Sequence, residues 1–258
     1  MRQTRKIVLG TLGVVLFLVA WQLLPVVGLV DPQYLPYATD TLVRLGGDAL
    51  DLEFWRNVGR TLRGWIIGLV IATVAAVVLG TLIGLVPFLR RATHTTVEFL
   101  RPVPSVALIP IAVLVFGLQL PATLMLIVYA SFWQIFVQVL YGVADVDTVA
   151  RDTARSFGLT RSEQMFRVVL PTALPYLFTG LRLAASVALI LSVTGEMLIT
   201  ATGLGGRLVV LQSSGDWSGV YAVIVVTGLL GLIINMVFRM IERRSLGWHQ
   251  SVRGEEVL

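Results

Sequence analysis

Cysteine is absent from the 258 residues, which excludes disulfides and thiolate metal sites. Lysine occurs once, at Lys6, against 19 arginines. A phosphate-cradling loop of the form G-x-x-x-x-G-K-[ST] needs a glycine before its lysine and a hydroxyl after it. Lys6 has neither, being followed by Ile7. The chain therefore carries no Walker-type nucleotide site, and any ATP that drives it is hydrolysed by another polypeptide. The two histidines, His94 and His249, lie far apart, so no metal site within the chain is expected. Charge is also scarce, at 14% of residues against about a quarter in a soluble domain.

What fills the space is apolar. Hydrophobic residues make up 56% of the chain, and the mean hydropathy is +0.85. One globular core cannot bury that much apolar surface, so the solvent is lipid and the class is an all-α integral membrane protein. The net charge of +5 does not indicate nucleic acid, because the arginines flank apolar runs, where membrane topology explains them.

A helix crossing the ~30 Å hydrocarbon layer needs about 20 mostly apolar residues. Six stretches qualify, at roughly 7–24, 60–86, 104–119, 121–143, 174–200 and 219–241. The third is short and contains Pro104 and Pro110, which predicts a bent or partial span. The second carries Gly64, Gly68, Gly80 and Gly84, small residues that let helices approach closely. The first resembles a signal peptide, but its apolar run continues to Leu24 without a small-residue cleavage site, so it reads as a retained anchor. With the N-terminus inside, fourteen basic residues fall on inside segments and five (Arg44, Arg56, Arg60, Arg63, Arg207) outside. This excess predicts both termini in the cytoplasm. In the outside loop, residues 40–55 read as an amphipathic helix, first as a packing cap.

Between the fourth and fifth spans lies a polar insert, 144–173. Asp147 can cap a helix over 148–157, and Gly158 stands where a left-handed stop belongs. Thr160-Arg161-Ser162-Glu163 is a capping box for a second short helix, 161–169, ending before Pro171. Pro175 then opens the next span. Two capped helices on a glycine hinge suit either a solvated linker or a docking element for a soluble partner.

The insert resembles the cytoplasmic loop of binding-protein-dependent ABC importer permeases, whose pattern is E-A-A, three residues, G, nine residues, I-x-L-P. Here Asp152-Thr153-Ala154 is followed by Arg155-Ser156-Phe157, Gly158, nine residues and Val168-Val169-Leu170-Pro171. Asp replaces Glu at 152, Thr replaces Ala at 153 and Val replaces Ile at 168. Further stretches are similar to the branch that imports sulfonates, taurine, nitrate and thiamine-precursor pyrimidines. They are Leu100-Arg101-Pro102-Val103-Pro104 with Ala107-Leu108-Ile109-Pro110, Ala173-Leu174-Pro175, Thr179-Gly180-Leu181-Arg182, Gly195-Glu196-Met197, Gly203-Leu204-Gly205 and Glu242-Arg243-Arg244. The similarity runs from about Trp21 to Trp248.

The resemblance implies a type I importer permease (MetI-like) fold of about six transmembrane helices in a bacterial inner membrane. It implies a single non-catalytic domain, working with a second copy of itself, two ATPase subunits and an extracellular or periplasmic substrate-binding protein. ATP and magnesium would sit on the ATPase, with no cofactor on this chain. Residues Asp152, Thr153, Ala154, Arg155, Phe157, Gly158, Leu170 and Pro171 would couple the permease to that ATPase. The solute would be small and polar or anionic, or alternatively a pyrimidine-like heterocycle.

A translocation path between the copies would draw on polar positions of the spans: Tyr129, Trp133, Gln134, Gln138, Ser192, Thr194 and Glu196, with Ser131 and Ser186 nearby. Glu196 reads first as a structural brace paired with Arg63 or Arg207, and otherwise as a path residue. Arg182 reads first as snorkelling to the interface, and Asn235 as an interhelical hydrogen bond. Two rivals remain. A secondary transporter would usually show repeats and more buried carboxylates. A lipid-modifying enzyme would need clustered acids or histidines at a membrane face.

Overall fold

A computed structural model describes residues 2–247, and His249 and Arg253 lie outside the described residues. Eleven α-helices are described, with no strand among these residues: α1 (Arg2–Val26), α2 (Ala38–Asp48), α3 (Leu52–Leu85), α4 (Pro87–Leu100), α5 (Ile109–Phe116), α6 (Leu120–Ala144), α7 (Thr148–Ser156), α8 (Arg161–Gln164), α9 (Leu170–Gly195), α10 (Gly203–Ser213) and α11 (Trp217–Ser245). Five helical stretches among the described residues are long and apolar enough to cross a membrane: Val8–Val26, Leu52–Leu85, Leu120–Ala144, Arg161–Thr200 and Trp217–Ser245.

The core is a sheaf of α3, α6 and α9. Its centre holds Leu126, Ile127, Ile135 and Phe136 of α6 against Ala184 and Ala188 of α9, all buried. The glycines of α3 set the spacing. Gly64, Gly68, Gly80 and Gly84 face Leu120, Ile127, Val139 and Val143 of α6 in that order. Contact positions that rise together along both chains make α3 and α6 parallel. Two consecutive parallel helices require the chain between them to return across the layer. That return is made by α4, a turn at 101–104, a 3₁₀ segment Ser105–Leu108 and α5, with a bend of 86° between the two halves. Pro102 and Pro104 cause the break, since proline cannot donate to a helical ladder.

Helix α9 runs antiparallel to α6. Ser131 Oγ donates to Ala184 O at 3.5 Å, and a Cβ on Gly142 would lie 2.9 Å from Ala173 Cα. Gly142→Ala therefore forces a backbone shift, and a loss of about 1–3 kcal/mol is expected. Thermal unfolding of the detergent-solubilised chain checks this. An unchanged midpoint would mean the two helices are not held that closely. Trp65 Nε1 donates to Ala185 O at 2.8 Å and ties α3 to α9.

The face turned away from this core stays apolar and exposed, with Phe17 on α1, Leu114 on α5 and Met236 on α11 among many. Exposed apolar surface on this scale marks contact with lipid.

Two ends of the bundle follow. The insert end gathers Leu85, Ala144, α7, α8 and the C-terminal part of α11. The opposite end gathers α2, the starts of α3 and α6, and α10. There the expected single helix over 40–55 is two pieces. α2 stops at Asp48, and α3 starts afresh because Asp51 accepts from Glu53 N at 2.9 Å. Asp48 is buried and bound by Arg207 at 2.8 Å and Arg44 at 3.5 Å, while Arg44 also reaches Asp216 at 3.1 Å. This ionic knot pins α2 to α10 and α11 as a cap.

The insert differs from expectation in its second half. The helix begun at Arg161 does not end before Pro171. It passes through a π-helical segment, Met165–Val169, straight into α9. Pro171 fits the first turn of α9, where its missing N–H is no loss. Pro175 lies inside that helix rather than opening it. One helical path thus runs from Arg161 to Thr200.

Candidate coupling surface and polar cavity

Local hydrogen bonds build α7. Asp147 Oδ1 accepts from Val149 N at 2.8 Å and starts the helix. Gly158, at φ +78°, stops it. Gly158 N donates to Arg155 O at 3.0 Å and Leu159 N to Ala154 O at 3.0 Å, the paired closure of a Schellman motif. Thr160 then starts α8: Glu163 N donates to Thr160 Oγ1 at 3.3 Å, and Thr160 N donates to Glu163 Oε2 at 2.8 Å.

Helical geometry divides α7 into two sides. Ala154 is its one buried residue. Val149, Thr153 and Phe157, four apart in turn, lie on one exposed face, and Phe157 at the tip is 80% exposed. Asp152 is exposed between that face and the arginines. Arg151 and Arg155 turn the other way and line a cleft with Arg161. Of the sequence-predicted coupling residues, Asp152, Thr153 and Phe157 are presented outward, Ala154 anchors the helix and Gly158 bends the chain. Arg155 faces the cleft, and Leu170 and Pro171 belong to the root of α9.

A small cavity lies at the opposite end. It encloses about 120 Å³ and is lined by Arg60, Arg63, Thr123, Ser192, Glu196 and Thr200 among others. Glu196 is buried. Its Oε2 accepts from Thr61 Oγ1 at 2.8 Å and from Gly205 N at 3.0 Å, and Leu204 N donates to Thr61 Oγ1 at 3.0 Å. The expected brace is therefore corrected. Glu196 pairs with neither Arg63 nor Arg207; hydroxyl and backbone donors hold it, and Arg207 is taken by Asp48 and Asp51. Gly203, at φ +65°, lets the 203–206 turn wrap the carboxylate, which a Cβ there would strike.

The other path candidates scatter. Ser192 joins Glu196 on the cavity, with its hydroxyl donating to Ala188 O at 2.8 Å. Trp133 belongs to the core, in edge contact with Phe132, Phe136 and Tyr129. Tyr129 donates to Leu100 O at 2.6 Å and anchors the end of α4. Gln134 is exposed, while Gln138 and Thr194 are half-buried. Arg182 does not snorkel freely; it pairs with Glu242 of α11 at 3.4 Å. Asn235 is half-buried, and its side chain makes no hydrogen bond among the described residues.

Sequence reasoning missed Thr61 and Thr123. The Thr123 hydroxyl is buried without a hydrogen-bond partner among the described residues. A lone threonine in an apolar helix carries no sequence signal of such a role.

The structure is thus a bundle of apolar, span-length helices that extends a capped, two-helix insert from one end. The chain belongs to the family of binding-protein-dependent transport system inner membrane components, matched over residues 54–246. It is 29% identical over 253 residues to the taurine transport system permease protein TauC of Escherichia coli strain K12, covering 95% of this chain and 90% of that one. It is 30% identical over 198 residues to the nitrate import permease protein NrtB of Leptolyngbya laminosa, covering 77% and 71%. Its fold is similar to the MetNI methionine ABC transporter in an inward-facing conformation, with a TM-score of 0.65 at 21% identity, over 74% of this chain and 95% of that one. The chain is a membrane-spanning permease subunit of an ABC importer.

Proposed function

We propose that this permease works as a homodimer with two separate ATPase subunits, and that α7 and α8 are the handle those subunits grip. The observation that carries the reading is the exposed face Val149–Thr153–Phe157 on a helix hinged at Gly158. Beyond that hinge, an unbroken helical path to Thr200 can transmit displacement of the insert to the far end of the bundle. ATP and magnesium bind on the ATPase, whose closure draws the paired handles together and turns the spans outward. The loaded external binding protein must favour that outward state, because a ligand shifts an equilibrium only by differential affinity. This chain performs no chemistry itself. The insert and both termini face the cytoplasm, following the positive-inside distribution.

The solute is a small oxyanion or zwitterion, as the names of the taurine and nitrate relatives suggest. The cavity beside Glu196 is on the proposed path. At about 30 Å³ per water, its 120 Å³ is on the scale of a solute of a few heavy atoms.

The test is reconstitution in vesicles with the ATPase and the binding protein, following labelled taurine, nitrate and an alkanesulfonate. ATP-dependent uptake of one of them is expected. Uptake that continues without nucleotide would make the chain a secondary transporter and end this reading.

A further inference from the structure

On the side of α7 away from the Val149–Thr153–Phe157 face is a cleft of about 720 Å³. It is lined by Arg151, Arg155 and Arg161 and by the apolar Leu85, Val86 and Met165. Among the described residues no carboxylate lies within ion-pairing distance of any of the three arginines. Three unneutralised guanidinium groups around one hollow repel one another and attract a polyvalent oxyanion.

The depth of the cleft narrows the source of that oxyanion. Helix α3 carries Arg56, Arg60 and Arg63 near its start and no charge from Gly64 to Leu85. Those 22 residues, at 1.5 Å each, span about 33 Å, close to the ~30 Å hydrocarbon thickness. Leu85 and Val86 therefore mark the boundary where hydrocarbon gives way to headgroups. The next turn, opening α4, carries Phe88, which is 71% exposed. The cleft is thus cationic on the insert side and apolar on the membrane side, at headgroup depth. A soluble acidic protein segment would match the arginines but not the apolar lining.

We infer that this cleft binds the phosphate of an anionic phospholipid, with Arg151, Arg155 and Arg161 around the headgroup and Leu85, Val86 and Met165 against the start of its acyl chains. Basic hollows at the ends of membrane helices take such headgroups. Because Arg151 and Arg155 share α7 with the Phe157 face, a bound lipid braces the handle from behind while its other face stays open. The inference is independent of which solute is carried.

The experiment measures lipid retention on the full chain by native mass spectrometry, with phosphatidylglycerol and phosphatidylcholine supplied in equal amounts. Selective retention of phosphatidylglycerol is expected. At about 1 kcal/mol per arginine near an anionic surface, Arg151→Gln/Arg155→Gln/Arg161→Gln together should weaken retention about a hundredfold. The matching triple lysine variant should stay within about tenfold of the native chain, since charge is kept and only the bidentate geometry is lost. If the triple glutamine variant does not fold, Arg161→Gln alone should weaken retention about fivefold. Equal retention of both lipids, or undiminished retention in a folded glutamine variant, would overturn the inference. So would displacement of the lipid by equimolar glycerol phosphate, which would make the site one for a soluble phosphate. Loss of the lipid on adding the ATPase would assign the arginines to that partner instead.

Discussion

Gly158→Val should reduce ATP-driven uptake at least tenfold while leaving membrane insertion and the ATPase's own hydrolysis intact. No atom crowds the position, so the effect is conformational. At φ +78° an L-residue in the left-handed region costs about 1–2 kcal/mol, more for a β-branched one. The chain escapes that cost by unwinding the closure that Gly158 N and Leu159 N make onto Arg155 and Ala154. Phe157 then leaves its place at the tip, and the insert loses the exposed face through which the proposed coupling acts. Gly158→Asn is the control, since asparagine tolerates this conformation, and it should retain most of the uptake. Vesicle uptake and ATP hydrolysis measured together separate the two cases. Native uptake by the valine variant would show that the hinge does not transmit force.

Glu196→Ala should destabilise the whole permease. It removes the acceptor used by the Thr61 hydroxyl and by Gly205 N. The hydroxyl still reaches Asn57 O at 3.3 Å, but Gly205 N is left a buried donor without a partner, at a cost of about 1–3 kcal/mol. That loss corresponds to roughly 2–12 °C in Tm for a chain of this length. Glu196→Gln keeps an oxygen of the same shape and should lose far less. A melting curve of each variant, alone and with Thr61→Val, tests the coupling. Thr61→Val should cost less once Glu196 is gone, because the bond the two share is already lost, and what remains is the acceptor that Thr61 Oγ1 offers Leu204 N. Full additivity, or an alanine variant as stable as the native chain, would show that the network is not structural.

These two sites differ in how far they were legible before the fold was known. The handle is local. Asp147 to Val149, Thr160 to Glu163 and Gly158 to Arg155 are contacts over two or three residues, so residue types at fixed offsets suffice to read the caps and the hinge. Reading Pro171 and Pro175 as breaks failed for an equally local reason. A proline in the first turn costs no bond, and one further in is tolerated where neighbouring helices and local π-helical adjustment re-satisfy the freed backbone groups. The Glu196 network lies at the other extreme. Thr61 and Glu196 are 135 positions apart, and an ionisable residue among arginines reads most simply as an ion pair. Only the packing of α3 on α9 shows that a threonine and a glycine turn reach it first, and that Asp48 has already claimed Arg207. Trp133 likewise reads as a polar-edged path residue until Phe132 and Phe136 close around it.

The linear chain alone determined the solvent, the approximate spans and the capped insert with its hinge. Hydropathy, charge bias and capping are properties of neighbouring residues, and no distant contact is needed to set them. Tertiary packing alone decided that α3 and α6 run parallel around glycine contacts, that α8 is continuous with α9, which charges pair, and that three arginines meet the end of α3. Those outcomes depend on which surfaces of distant helices come within a few ångströms, and close packing settles that only once the helices are assembled.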